Sequence, residues 1–111
     1  MEKGSYRSAT NRAYYAVFHT INALHALDGM GFKRHKDVIG NFNKNYVKTK
    51  VFPSDYGRRV SFLEQARRES DYMDYHIPNE DEARSHFSFA VEFVGVLTKY
   101  IEAKLNEVKK C

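Results

Sequence analysis

Apolar residues recur at three- and four-residue steps along four stretches of this chain, and nowhere do they alternate with polar ones as a strand would require. The first stretch runs from a Ser5 cap to about Leu27, with Ala9, Ala13, Val17, Ile21 and Leu24 on one stripe. It carries no Asp, Glu, Lys or Arg from Ala13 to Leu27, which places this helix in the middle of a bundle. Asp28-Gly29 ends it, and the linker at 29–34 holds two glycines that can reverse the chain between antiparallel helices. A second helix is predicted over His35 to Val47. Its inner face is Val38, Phe42 and Tyr46, and asparagines at 41, 43 and 45 make it polar elsewhere, so it should pack on the outside of the core.

Lys48 to Pro53 reads as an extended loop, because the residue before a proline avoids the helical region, and Ser54 is placed to cap the next helix. This third helix should run from Asp55 to about Tyr75 with Tyr56, Val60, Leu63, Ala66 and either Tyr72 or Met73 inward. On its surface Glu64 and Arg68, and Arg67 and Asp71, stand four residues apart as ion pairs would. Ile77-Pro78 breaks it. Asn79 then opens a final helix with Glu80, Asp81 and Glu82 in the first turn, where acidic groups complement the helix dipole. Phe87, Ala90, Val94, Leu97, Ile101 and Leu105 form its expected inner stripe. The implied fold class is all-α: an antiparallel up-and-down bundle of four main helices, forming a single domain over residues 1–111.

Composition narrows the function classes. Eight Tyr and eight Phe without any Trp imply an aromatic core in which many hydroxyls need partners. The net charge of +4 gives weak attraction to phosphates but lacks the dense basic blocks of a dedicated nucleic-acid arm. Cys111, the only cysteine, excludes an intrachain disulfide or a thiolate metal cluster and points to a reducing cytoplasm. The N-terminus has no apolar signal core, and the uncharged run at 13–27 is too short and too interrupted by His19, Thr20, Asn22 and His25 to span a membrane. Neither GxGxxG nor GxxxxGK[ST] occurs and no spacing gathers metal ligands on one face, so no metal and no cofactor are expected.

Two Arg and His couples carry the candidate chemistry, because arginine fixes and neutralises a phosphate while histidine moves protons near neutral pH. Arg12 and His19 are seven residues apart, on one face of the first helix and about 10 Å apart along its axis. Arg68 and His76 lie at the end of the third helix. Asp71 and Tyr72 could orient these groups by hydrogen bonds, and Tyr14, Tyr15, Tyr72 and Tyr75 could stack on bases. The structural readings are an Arg12 ion pair with a carboxylate such as Asp71, hydrogen-bonded core roles for His19 and His25, and core packing for the tyrosines.

The run from Gly4 through Ser5-Tyr6 and Asn11-Arg12-Ala13-Tyr14-Tyr15-Ala16-Val17 to Phe18, then Phe42 to Thr49, then Arg67-Arg68-Glu69-Ser70-Asp71-Tyr72, closely resembles the HEPN domain, in particular its small stand-alone prokaryotic branch. The resemblance covers nearly the whole chain and implies a helical bundle that commonly dimerises. It also implies metal-independent RNA cleavage, often by a toxin paired with a minimal nucleotidyltransferase antitoxin, with an Arg-x4-6-His motif in a late helix. Here Arg68 and His76 have seven residues between them, while Arg12 and His19, on the early helix, have six. Family members usually carry one more helix before the Gly-x-Tyr segment, so an apolar groove beside the first helix is expected to need a partner subunit to cover it. The resulting expectation is a homodimeric RNA- or nucleotide-binding protein, a metal-independent endoribonuclease toxin. The alternative is a catalytically inactive binding or complex-forming partner of a nucleotidyltransferase. Arg68, His76, Arg12 and His19 are its catalytic candidates, and Asp71, Tyr72 and Tyr15 its substrate-binding candidates.

Overall fold

The computed structural model describes residues 3–70 and 79–110, which form α1 (Lys3–Leu27), α2 (His35–Phe42), a π-helical turn (Asn43–Val47), α3 (Asp55–Ser70) and α4 (Glu80–Lys110), with no strand among them. The all-α bundle read from the hydrophobic pattern is therefore what the chain forms. Val17, Ile21 and Leu24 of α1 are buried as the stripe requires, together with Ala13 and Tyr14. α1 begins at Lys3, upstream of the expected Ser5 cap, so Ser5 lies inside the helix. Its other end obeys local chemistry closely. Gly29 adopts a positive φ of 73°, and the amides of Met30 and Gly29 bond back to the carbonyls of His25 and Ala26 at 2.9 and 3.0 Å, which is a Schellman stop.

The linker after Gly29 spends its length running back along α1, so that His35 at the start of α2 reaches Tyr14 and Phe18. From there α2 and the π turn run in the same sense as α1: Val38 and Asn41 meet His25, and Tyr46 meets Asp28. Val38, Ile39, Phe42 and Tyr46 are buried. Residues 48–52 are not extended. A turn with Lys50 at φ 65° folds the chain so that the Phe52 amide bonds the Tyr46 carbonyl and the Phe52 ring enters the core. Pro53 forces only its immediate predecessor out of the helical region, and burial of Phe52 decides the rest.

α3 runs antiparallel to α4, with Tyr56 against Glu92 and Phe93, Arg59 against Phe89, and Phe62 against His86. α1 and α4 run in the same direction, since Ala9 shares a cavity with Ala83 and Phe87 whereas His19 and Ala23 share one with Thr98 and Glu102. Asn79 caps α4 as expected, its Oδ1 accepting the Glu82 amide at 2.9 Å. The inner face of α4 differs from expectation. Ala83, His86, Phe89, Phe93 and Leu97 are buried with Ala90, while Phe87 and Leu105 are exposed. This helix carries two apolar stripes at helical spacing. The one that turns inward is the one whose rings join an aromatic cluster, with Phe93 at 5.5 Å from Phe42 and 5.3 Å from Tyr56, and Phe52 at 5.2 Å from Tyr100.

The outward stripe leaves the apolar groove expected beside the first helix. It is a cleft of about 610 Å³ between α1 and α4, lined by Ala9, Ala13 and Ala16 on one wall and by Phe87, Val91, Val94 and Gly95 on the other, with Arg12 at its lip.

Candidate functional site

The seam where α1, the start of α2 and the end of α3 converge gathers aromatic and basic groups. Tyr14 is buried, and its hydroxyl shares a hydrogen bond with Nδ1 of His35 at 2.6 Å. Burial first, and then the nearby Glu64 carboxylate, push the Tyr14 phenol up to about 12, so it keeps its proton at neutral pH. The His35 ring in turn stacks on Phe18, with centroids 4.0 Å apart. Beside this sandwich, Arg67 donates from Nη2 to the Tyr15 hydroxyl at 2.8 Å and lies 5.6 and 5.5 Å from the Tyr14 and Tyr15 ring centres. That is a cation over two π-faces. Tyr15 and Arg68 are both exposed, and Arg68 is held by Glu64 at 2.8 Å. A surface of this kind offers phosphate a guanidinium and offers a base an aromatic face.

The other predicted residues are dispersed. Arg12 is at the lip of the α1/α4 groove, whereas His19, which is exposed, lines a separate cavity of about 310 Å³ with Thr98, Ile101 and Glu102. His19 is thus not a core residue. His25 is one: it is buried, its Nε2–H donates to the Val38 carbonyl at 2.8 Å, and Nδ1 accepts from Asn41. The Arg12 ion pair with Asp71 and the roles of Tyr72, Tyr75 and His76 fall on residues 71–78, outside the described residues. No group of three or more His, Cys, Asp or Glu side chains able to hold a metal ion occurs among the described residues. Nor is any described helix long and apolar enough to cross a membrane.

Sequence spacing missed two features. The spacing offered Arg67 a local partner in Asp71, which lies outside the described residues, but gave no sign of its contact with Tyr15, 52 residues away. His86 is buried beneath a small cavity of about 260 Å³ lined by Arg58, Arg59, Phe62, Ser85 and Phe89. Its Nε2 has no hydrogen-bond partner, and burial lowers its pKa against a weaker opposing pull from Glu82. The only sequence signal for it was the step of His86 with Phe89 and Phe93, which marks the buried stripe.

The sequence profile of the HEPN domain matches residues 1–101. A Thermotoga maritima protein named "UPF0332 protein" is 30% identical over 95 residues, covering 86% of this chain and 72% of its own. A Methanocaldococcus jannaschii protein named "Putative toxin" is 34% identical over 101 residues, covering 91% of this chain and 75% of its own. A Pyrococcus horikoshii "UPF0332 protein" is 29% identical over 68 residues, 61% of this chain and 48% of its own. No solved structure matches the chain significantly.

Proposed function

The chain belongs to the HEPN domain family, and on that premise we propose that it is the toxin of a two-protein system: a homodimeric, metal-independent endoribonuclease acting in the cytoplasm. The observation that carries this reading is the Arg67 platform. A guanidinium laid on Tyr14 and Tyr15, with Arg68 exposed beside it on the last described turn of α3, is the surface that a flexible, phosphate-rich single strand binds. The relative named as a toxin, aligned over most of both chains, supports the biological role.

In this reading His76 takes the proton of the 2′-hydroxyl, which attacks the adjacent phosphorus, and a second histidine at the site protonates the departing 5′-oxygen. The product is a 2′,3′-cyclic phosphate. Arg68 stabilises the charge that grows on the phosphorus-bound oxygens, Asp71 and Tyr72 hold the catalytic groups in place, and Tyr15 stacks a base. Each subunit of the dimer supplies one Arg and one His, and a minimal nucleotidyltransferase serves as antitoxin.

Incubation with mixed RNA in excess chelator tests the proposal. Wild type should cleave, leaving cyclic phosphate ends, and Arg68→Ala/His76→Ala should lose about 100-fold or more in rate, the usual worth of a positioned acid or base. Arg12→Ala/His19→Ala should keep its rate. Loss in the latter alone would move the site to α1, and no cleavage by the wild type would leave the chain as an inactive partner of the nucleotidyltransferase.

A further inference from the structure

We infer that the exposed row Lys36, Gly40, Lys44 and Lys48 is a track for the phosphates of single-stranded RNA, leading away from the Arg67 platform along α2 and the π turn. The inference rests on the RNA reading above and gives the strand a second surface. Charge in this chain is unevenly placed. Residues 28–50 hold six Lys or Arg against two Asp, an excess of four that equals the net charge of the entire chain. Both acids are occupied: Asp28 accepts from the Tyr46 hydroxyl, and Asp37 pairs with Arg34 at 3.0 Å. Among the described residues no ion pair holds Lys33, Lys36, Lys44, Lys48 or Lys50, and all five are exposed.

These charges are scattered along the sequence and gathered by the fold. Val38, Phe42 and Tyr46 form the buried row of this arm, and Lys36, Gly40, Lys44 and Lys48 recur at the same four-residue step on its outer side. Twelve residues of helix carry the row about 18 Å. It starts at the platform. Lys36 follows His35, whose ring lies against Tyr14 and Phe18, and it stands seven residues before Asn43, which meets α3 at Gly57. Seven residues return to one helix face, so Lys36 is on the side of α2 that faces α3. Since Gly57 meets Asn43 while Arg67 meets Tyr15 beside His35, α3 runs antiparallel to α2 and brings Arg67 and Arg68 to the Lys36 end.

Lysine suits this task. An ammonium is a compact point charge that meets a phosphate without the planar match of a guanidinium, so the track positions a strand without reading its sequence. Gly40 fits the same role. It is exposed in the middle of the row, and a Cβ there would meet nothing within 4 Å, so the fold has no steric need for a residue that weakens a helix. Bare backbone between two lysines lets a phosphate chain approach closely. An acidic protein would satisfy the lysines and leave the aromatic platform at the head of the row unused. A strand of bases and phosphates engages both.

The test is fluorescence anisotropy with a 2′-O-methyl oligonucleotide of about 20 nucleotides, long enough to cover platform and row, which lacks the attacking hydroxyl and is held without being cut. Lys36→Gln/Lys44→Gln/Lys48→Gln should raise Kd about 100-fold at about 0.1 M salt and lower the salt slope by about 2, the loss expected for three phosphate contacts on a single strand. Gly40→Glu, which sets a carboxylate on the row, should raise Kd about 10-fold. Helical circular dichroism should be retained in both. Removing the same charge from α4, in Arg84→Gln/Lys99→Gln/Lys104→Gln, should change Kd less than about 3-fold, because charges beyond a Debye length are screened. A row variant that loses no more affinity than the α4 variant overturns the track and leaves the RNA reading standing. Binding of the oligonucleotide through the row, with no cleavage of RNA, overturns the nuclease and upholds the track. A wild type that holds no oligonucleotide overturns both, and its sedimentation with anionic lipid vesicles, lost in the row variant, would give the row to a membrane surface instead.

Discussion

At the α1/α2 seam a buried phenol is hydrogen-bonded to a half-buried imidazole. Tyr14→Phe should cost about 1 kcal/mol, the usual value of one lost hydrogen bond, read as a lower urea midpoint at unchanged slope. His86 makes a second residue-scale prediction. Burial depresses its folded pKa, so between that value and the unfolded value of about 6.5 the unfolded chain binds more protons. Stability should therefore be complete above about pH 6.5 and fall as the pH drops below it. His86→Phe should flatten that acid slope in thermal melts taken from about pH 7.5 to about pH 5. Neither residue disclosed its role in the sequence. Tyr14 had core and stacking readings side by side, and its imidazole partner lies 21 positions away. A residue's partner across the fold leaves no mark in local spacing.

Two element limits set by neighbouring atoms were legible, although the Ser5 cap was not one of them, since α1 begins at Lys3. The Gly29 stop and the Asn79 cap need only residues within a turn, and both are where the spacing put them. The rotation of α4 and the π turn were not legible, because packing against another helix settles them. The π turn meets α3 at Gly57, where an added Cβ would come 2.9 Å from Asn43 Oδ1 and 3.3 Å from Val47 Cγ1. Gly57→Ala should thus destabilise by about 1–3 kcal/mol, the cost of overpacking, even though alanine favours helix. Asn43 Oδ1 is itself buried without a hydrogen-bond partner. Adding Asn43→Ala should recover most of the loss, and a double-mutant cycle by chemical denaturation measures that coupling.

Seen whole, the molecule is 52 Å long and 24 by 22 Å across, with α1 at its centre. The class of fold was legible because four periodic stretches with no strand pattern admit few alternatives. The directions of the helices were not, since nothing local says that the linker after Gly29 doubles back before α2 begins. That return has a consequence for motion. Among the described residues, α2 shields only the half of α1 beyond Tyr14, and the turns before it pack on α3 and α4. Amide deuteration should accordingly advance along α1 from the Lys3 end and halt near Tyr14, with the later half exchanging only when the entire domain unfolds. The helix that contributes most to the interior would then melt from one end, as a zip opens to a stitched point.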